Sequence, residues 1–155
     1  MSRPNAFADE PWDMTAEKMQ IRSRFVGKAA GAKELGASVH ELLPGSTGFN
    51  LHAHYGMEEL FVVLGGHPTL RTPAGEEPLG PGDVVSCRRG PEGMHTFTNP
   101  TGEPARVLAI STQPVPEVVV YPEIGKFGVA TRDPFAPVPE GGDPGVVGLF
   151  DLPAS

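Results

Sequence analysis

An all-β fold of short strands is predicted for this chain, on two observations. Its 155 residues include 20 Gly and 18 Pro, which interrupt the chain too often for long helices. Between these breakers lie β-prone runs that arrive roughly every eight to twelve residues, the signature of a sandwich, jelly roll or barrel. With 39% apolar content the chain is the size of one ordinary domain and can bury a core without disulfides.

Residues 1–22 are polar and weakly patterned, with Trp12 and the stretch 14–19 allowing at most a short helix, so an arm is expected. Residues 37–43 read as extended and enter a turn cluster at 44–48. A strand resumes over 49–54. Residues 59–64 form a β-prone run ended by Gly65 and Gly66, and 69–72 lead into a hairpin turn at Pro73, Ala74 and Gly75. A turn at 78–83, a strand at 84–87 and a loop at 88–93 deliver residues 94–98, and a further turn at 99–102 leads into 105–111. After Gln113 only 118–121 is clearly strand-like. The expected organisation is an arm over 1–22, a barrel over 23–131, and a tail over 132–155 laid on the barrel or on a partner subunit.

A formal charge of -7 and a pI near 5.1, with no basic run, argue against a nucleic-acid partner. Cys87 is the only cysteine, which precludes an intrachain disulfide and suits a reducing, cytoplasmic setting. The first twenty residues carry Asp9, Glu10, Asp13 and Glu17 and lack the pattern of a signal peptide. No stretch approaches the roughly 20 apolar residues that span a bilayer, so no membrane insertion is expected.

The chemistry-bearing feature is His52 and His54, two apart, followed by Glu58 and Glu59. On a strand, residues two apart share a face, so both imidazoles can reach one cation, and either glutamate offers a hard oxygen donor. His95, in a second extended segment, is available as a fourth ligand. Imidazole with carboxylate suits manganese, iron, nickel or zinc rather than calcium. Phe61, Val63 and Phe97 share strand parity with Glu59 and His95 and should line a substrate pocket in the interior, with Phe49, Met57 and Met94 at its mouth. His40 and His67 read as surface or turn residues, Cys87 as a small core residue, Asn99 as a strand-end cap, and Arg88 and Arg89 as solvated charges. No dedicated proton-transfer residue stands out, with Glu58 and Tyr55 the candidates.

These residues resemble the two short motifs of the cupin superfamily over about 49–99. His52, His54, Glu59 and Gly66 fit the first motif, with Glu58 and Gly65 fitting its shorter form; Gly82, His95 and Asn99 fit the second. Fifteen residues, 67–81, separate the motifs, as in compact bacterial cupins without an assigned reaction. Ser46 stands where the first motif has glycine, and Arg88 where the second has proline, with a loop before His95 two residues longer. The resemblance implies a double-stranded β-helix, or jelly-roll, barrel with a divalent transition metal on His52, His54, Glu59 and His95. It implies an isomerase, lyase or dioxygenase acting on a small carboxylate, keto acid or sugar, or else a non-catalytic binding or sensory module. Because an open jelly-roll edge needs covering, a homodimer is expected, with 1–22 and 118–155 as the segments to reach across.

Overall fold

The computed structural model describes residues 3–132, 138, 140, 142 and 144–153. Parts of the expected tail, residues 133–137, 139, 141, 143, 154 and 155, lie outside the described residues, as do residues 1 and 2.

The chain is all-β, built from antiparallel strands. Strands β1 (Met14–Ala16), β2 (Ile21–Arg24) and β3 (Leu35–Leu42) come first, followed by β4 (Ala53–His54) and β5 (Glu59–Gly65). A hairpin of β6 (Thr69–Thr72) and β7 (Gly75–Pro78) leads to β8 (Val84–Cys87) and β9 (Thr96–Thr98). Strands β10 (Ala105–Thr112), β11 (Glu117–Tyr121), β12 (Lys126–Ala130) and β13 (Val147–Asp151) complete the order. Among the described residues three sheets result: β1-β2-β3-β10-β5-β8, β13-β12-β11-β4 and β7-β6-β9. Sequence-distant strands become neighbours, as β3 with β10 and β4 with β11, which is how a jelly roll closes on itself.

The N-terminal residues join this structure. Residues 14–16 pair with 21–23 and β2 pairs with β3, while the short helix expected at 14–19 reduces to one 3-10 turn over Glu17–Met19. Ile21 and Ser23, on the inner face of β2, are fully buried, and that alternation explains the strand. Ahead of it, Trp12 lies against the guanidinium groups of Arg22, Arg24 and Arg106, at 5.0, 5.2 and 5.7 Å. Glu41, on the outer face of β3, is buried between Arg22 and Arg106 and bonded to both. At the other end, β13, within the expected tail, adds an edge strand to β12.

The core sits where the sheets face one another: Leu42, Phe61, Val63, Leu70, Phe97 and Val107 belong to one buried cluster. Phe61 of β5 and Phe97 of β9 touch across it, ring centroids 4.6 Å apart. Among the described residues no helix is long and apolar enough to cross a membrane.

Candidate metal centre

Two short extended segments meet at the barrel interior. The backbones of His52 and His95 exchange both hydrogen bonds, His95 N–H to His52 O at 2.9 Å and His52 N–H to His95 O at 3.2 Å. This single bridge ties the two histidine-bearing segments together, although they are 43 residues apart by number. His54 follows in β4, held against Val119 of β11. The rings converge: centroids are 4.6 Å apart for His52 and His95, and 5.0 Å for His52 and His54.

Each ring has one nitrogen already engaged. His52 Nδ1 faces the Asn50 carbonyl at 2.8 Å, His95 Nδ1 the Gly93 carbonyl at 2.8 Å, and His54 Nδ1 a carboxylate oxygen of Glu117 at 3.2 Å. Those partners only accept, so each Nδ1 carries the proton and each Nε2 keeps a lone pair for a cation. Burial lowers the pKa of all three rings to about 4, so they are neutral at neutral pH.

Glu59 opens β5 with its carboxylate among these nitrogens: Oε2 is 3.3 Å from His95 Nε2 and 3.5 Å from His54 Nε2. Burial, reinforced by the Glu117 charge, raises its pKa to about 7. Oε2 is buried yet accepts no hydrogen bond among the described residues. An oxygen lone pair facing nitrogen lone pairs in a dry site is stabilised by a cation between them. One donor atom from each of His52, His54 and Glu59 falls within 4.8 Å of the others, a group able to hold a metal ion. The separations between Glu59 and two imidazoles are near the ~3.0–3.4 Å expected between neighbouring ligands with metal bonds of about 2.1 Å. The donor set therefore fits a divalent transition metal.

Two cavities adjoin the cluster. The inner one, about 140 Å³, is bordered by His40, His52, Glu59, His95 and Thr96 and otherwise by apolar side chains. The outer one, about 380 Å³, is bordered by His52, His54, Asn50 and Tyr121 with Met19, Phe49, Ile124 and Leu149. Phe49 and His52 are common to both.

The structure thus brings His52, His54 and Glu59 into one donor group, with His95 Nε2 beside it, 3.3 Å from Glu59 Oε2. Phe61 and Phe97 line the inner cavity; Val63 is buried in the adjoining core without bordering it. Phe49 stands at the mouth, whereas Met57 and Met94 border neither cavity. Glu58 and Tyr55 are exposed, and Cys87 is buried in the core. Asn99, fully buried, donates to the carbonyls of Leu42 and Glu103 and closes the turn after β9. His67 is exposed, but His40 is a correction: it stands in β3 and borders the inner cavity. Sequence reasoning also missed Glu117, which orients His54, and Tyr121, whose ring lies 5.7 Å from that of His52. Glu117 follows a proline-rich stretch and carries no local signal.

Residues 38–111 match the family model of the cupin domain. No curated protein matches the chain. A solved sugar phosphate isomerase from Silicibacter pomeroyi DSS-3 superposes with a TM-score of 0.75 at 23% identity, over 96% of this chain and 88% of that one. A proposed sugar phosphate isomerase from Acidithiobacillus ferrooxidans gives 0.70 at 25% identity, over 84% and 76%. The polyketide cyclase RemF from Streptomyces resistomycificus gives 0.61 at 24%, over 72% and 79%.

Proposed function

We propose that this chain, whose residues 38–111 match the family model of the cupin domain and whose fold is the cupin fold, is a metal-dependent enzyme acting on a small oxygen-rich metabolite. The observation that supports this reading above the others is the buried, unpartnered Glu59 Oε2 facing the free Nε2 atoms of His54 and His95. In the proposal His52, His54, Glu59 and His95 hold one divalent transition metal. When bound, the ion supplies Lewis-acid polarisation of a carbonyl, carboxylate or hydroxyl oxygen.

The protein's own contribution is orientation and exclusion of water. The carbonyls of Asn50 and Gly93 and the carboxylate of Glu117 fix the three rings in one tautomer, so the donor atoms need no rearrangement to bind. Within the ligand set, three neutral rings and the one ligand carboxylate would leave a divalent ion with net charge near +1, which favours an anionic or enolisable oxygen ligand. The phenyl rings of Phe61 and Phe97 form the dry wall of the inner cavity and strengthen that attraction. The Acidithiobacillus relative is named a proposed sugar phosphate isomerase, which supports assaying sugar isomerisation first.

Non-catalytic capture of a small ligand is the second reading. It is favoured by one feature: among the described residues bordering the inner cavity, Glu59 is the only carboxylate, so no second acid stands ready for proton transfer once Glu59 is a ligand.

The test is elemental analysis of protein purified without a metal-affinity tag, for the wild type and for His52→Ala and Glu59→Ala. About one transition metal per wild-type chain, lost in both variants, is the expected result. A folded wild type that stays metal-free after reconstitution overturns the reading.

A further inference from the structure

The inner cavity contains a second polar feature that the metal site does not use. Ser23 of β2 and His40 of β3 are directly paired across the strands, and Ser23 Oγ lies 2.7 Å from His40 Nδ1. The register His40, Val107, Val63 across β3, β10 and β5 puts His40 on the inward face. Its ring edge meets Phe49, centroids 5.7 Å apart. Ser23 is fully buried and does not border the cavity, so it is no nucleophile toward a ligand there.

The tautomer follows from Ser23. A buried hydroxyl whose only hydrogen-bond partner among the described residues is a ring nitrogen keeps its proton satisfied by donating it. His40 Nδ1 is then the acceptor and Nε2 carries the hydrogen. Burial lowers the ring's pKa to about 4, so it stays neutral and donates one hydrogen bond rather than a charge.

Elimination singles His40 out. Of the polar groups bordering the cavity, His52, Glu59 and His95 serve the metal, and Thr96 Oγ1 donates to the Phe49 carbonyl at 2.6 Å. His40 Nε2–H is the donor that remains among the described residues. Among the described residues no lysine or arginine borders either cavity, and Arg22 and Arg106 are engaged by Glu41 on the outer face of the sheet. A dianionic phosphate would find no cationic side chain, whereas a monoanion matches the charge of a loaded site.

We propose that His40, oriented by Ser23, is a ligand-contacting residue that donates a hydrogen bond to an oxygen of a compact, phosphate-free 2-oxo or 2-hydroxy acid chelated at the metal. This rests on the metal reading above and goes further, by naming the contact and the ligand class. In that arrangement an oxygen of the ligand would face His40, and its short carbon chain would lie against Phe61, Phe97 and Val107, which border the cavity.

The test is calorimetric binding of 2-oxobutanoate and of dihydroxyacetone phosphate to metal-loaded wild type, His40→Phe and Ser23→Ala, with metal content and melting temperature measured on each sample. Expected is tighter binding of 2-oxobutanoate than of the phosphate by the wild type, weakened about tenfold or more in His40→Phe with metal retained, as for a lost hydrogen bond to a charged group. Ser23→Ala, which frees the ring to change tautomer, should weaken binding in the same direction and decides the matter if His40→Phe does not fold. Unchanged affinity in a folded, metal-loaded variant overturns the inference and leaves the metal reading standing. Preference for the phosphate, or binding of neither probe by the wild type, also overturns it. A wild type that takes up no metal overturns both.

Discussion

Glu59 Oε2 lies 3.3 Å from His95 Nε2, and it is buried with no hydrogen-bond partner among the described residues. In a metal-free barrel that arrangement costs stability, because a buried carboxylate oxygen is left without a partner. Glu59→Gln should therefore abolish metal binding while leaving the metal-free protein as stable as the wild type, or more stable by about 1–3 kcal/mol. Chemical denaturation in chelator, paired with metal analysis, checks both halves. In the loaded wild type, chelation should lower the melting temperature, since the ion binds only the folded state.

Glu117 is joined to His54 Nδ1 at 3.2 Å from a different strand, β11. Gly56 leaves room for it: a Cβ there would sit 2.4 Å from Glu117 Oε2. Losing the carboxylate frees the imidazole to rotate and to switch tautomer. Glu117→Ala should weaken metal affinity by roughly 10–100-fold, with Glu117→Gln retaining more because its amide oxygen still accepts. Competition with a chromogenic chelator measures this.

His40 makes stability fall on the acid side. Its folded pKa is lowered by burial from 6.5 to about 4, so below pH 6.5 the unfolded chain takes up a proton that the folded ring refuses. Stability is full above pH 6.5, declines as pH falls toward 4, and stops declining from this source once the folded ring also protonates. The cavity's other titrating groups, His52, His95 and Glu59, are common to wild type and variant. Between those pH values metal-free His40→Phe should show a slope of stability against pH shallower by up to about 1.4 kcal/mol per unit, read from urea melts.

The candidate His–Glu cluster was legible because its information is local. His52 and His54 share a strand face by spacing alone, and β parity carried Glu59, Phe61 and Phe97 inward together. His40 was illegible for the opposite reason. In β3, Val39 and Glu41 on one face and Leu42 on the other are all buried, because the segment holding Trp12 covers the sheet's outer side. A strand buried on both faces loses the alternation that marks its interior. Glu117 depends on pairing between β4 and β11, 63 residues after His54, which no local pattern encodes. The N-terminal strands were hidden similarly, since Ile21 and Ser23 reveal an inner face only when β3 lies beside them.

The departure at Ser46 has a structural answer two residues on. Ser46 Oγ donates to the Met19 carbonyl, while Gly48 takes φ +76° with Phe97 O against it. A Cβ at Gly48 would lie 2.1 Å from that oxygen and 2.6 Å from Thr96 Oγ1, whereas one at Gly45, φ +78°, would meet nothing within 4 Å. Gly45→Ala pays only for the left-handed backbone, about 1 kcal/mol, while Gly48→Ala adds a backbone clash and should lose about 2–4 kcal/mol. The clash also pushes apart the two segments, one carrying Phe49 and the other Thr96, that the bridge between His52 and His95 joins. Gly48→Ala should therefore reduce metal affinity as well as stability, and Gly45→Ala should leave affinity unchanged. Urea melts and chelator competition on the two variants separate backbone strain from displacement of the site.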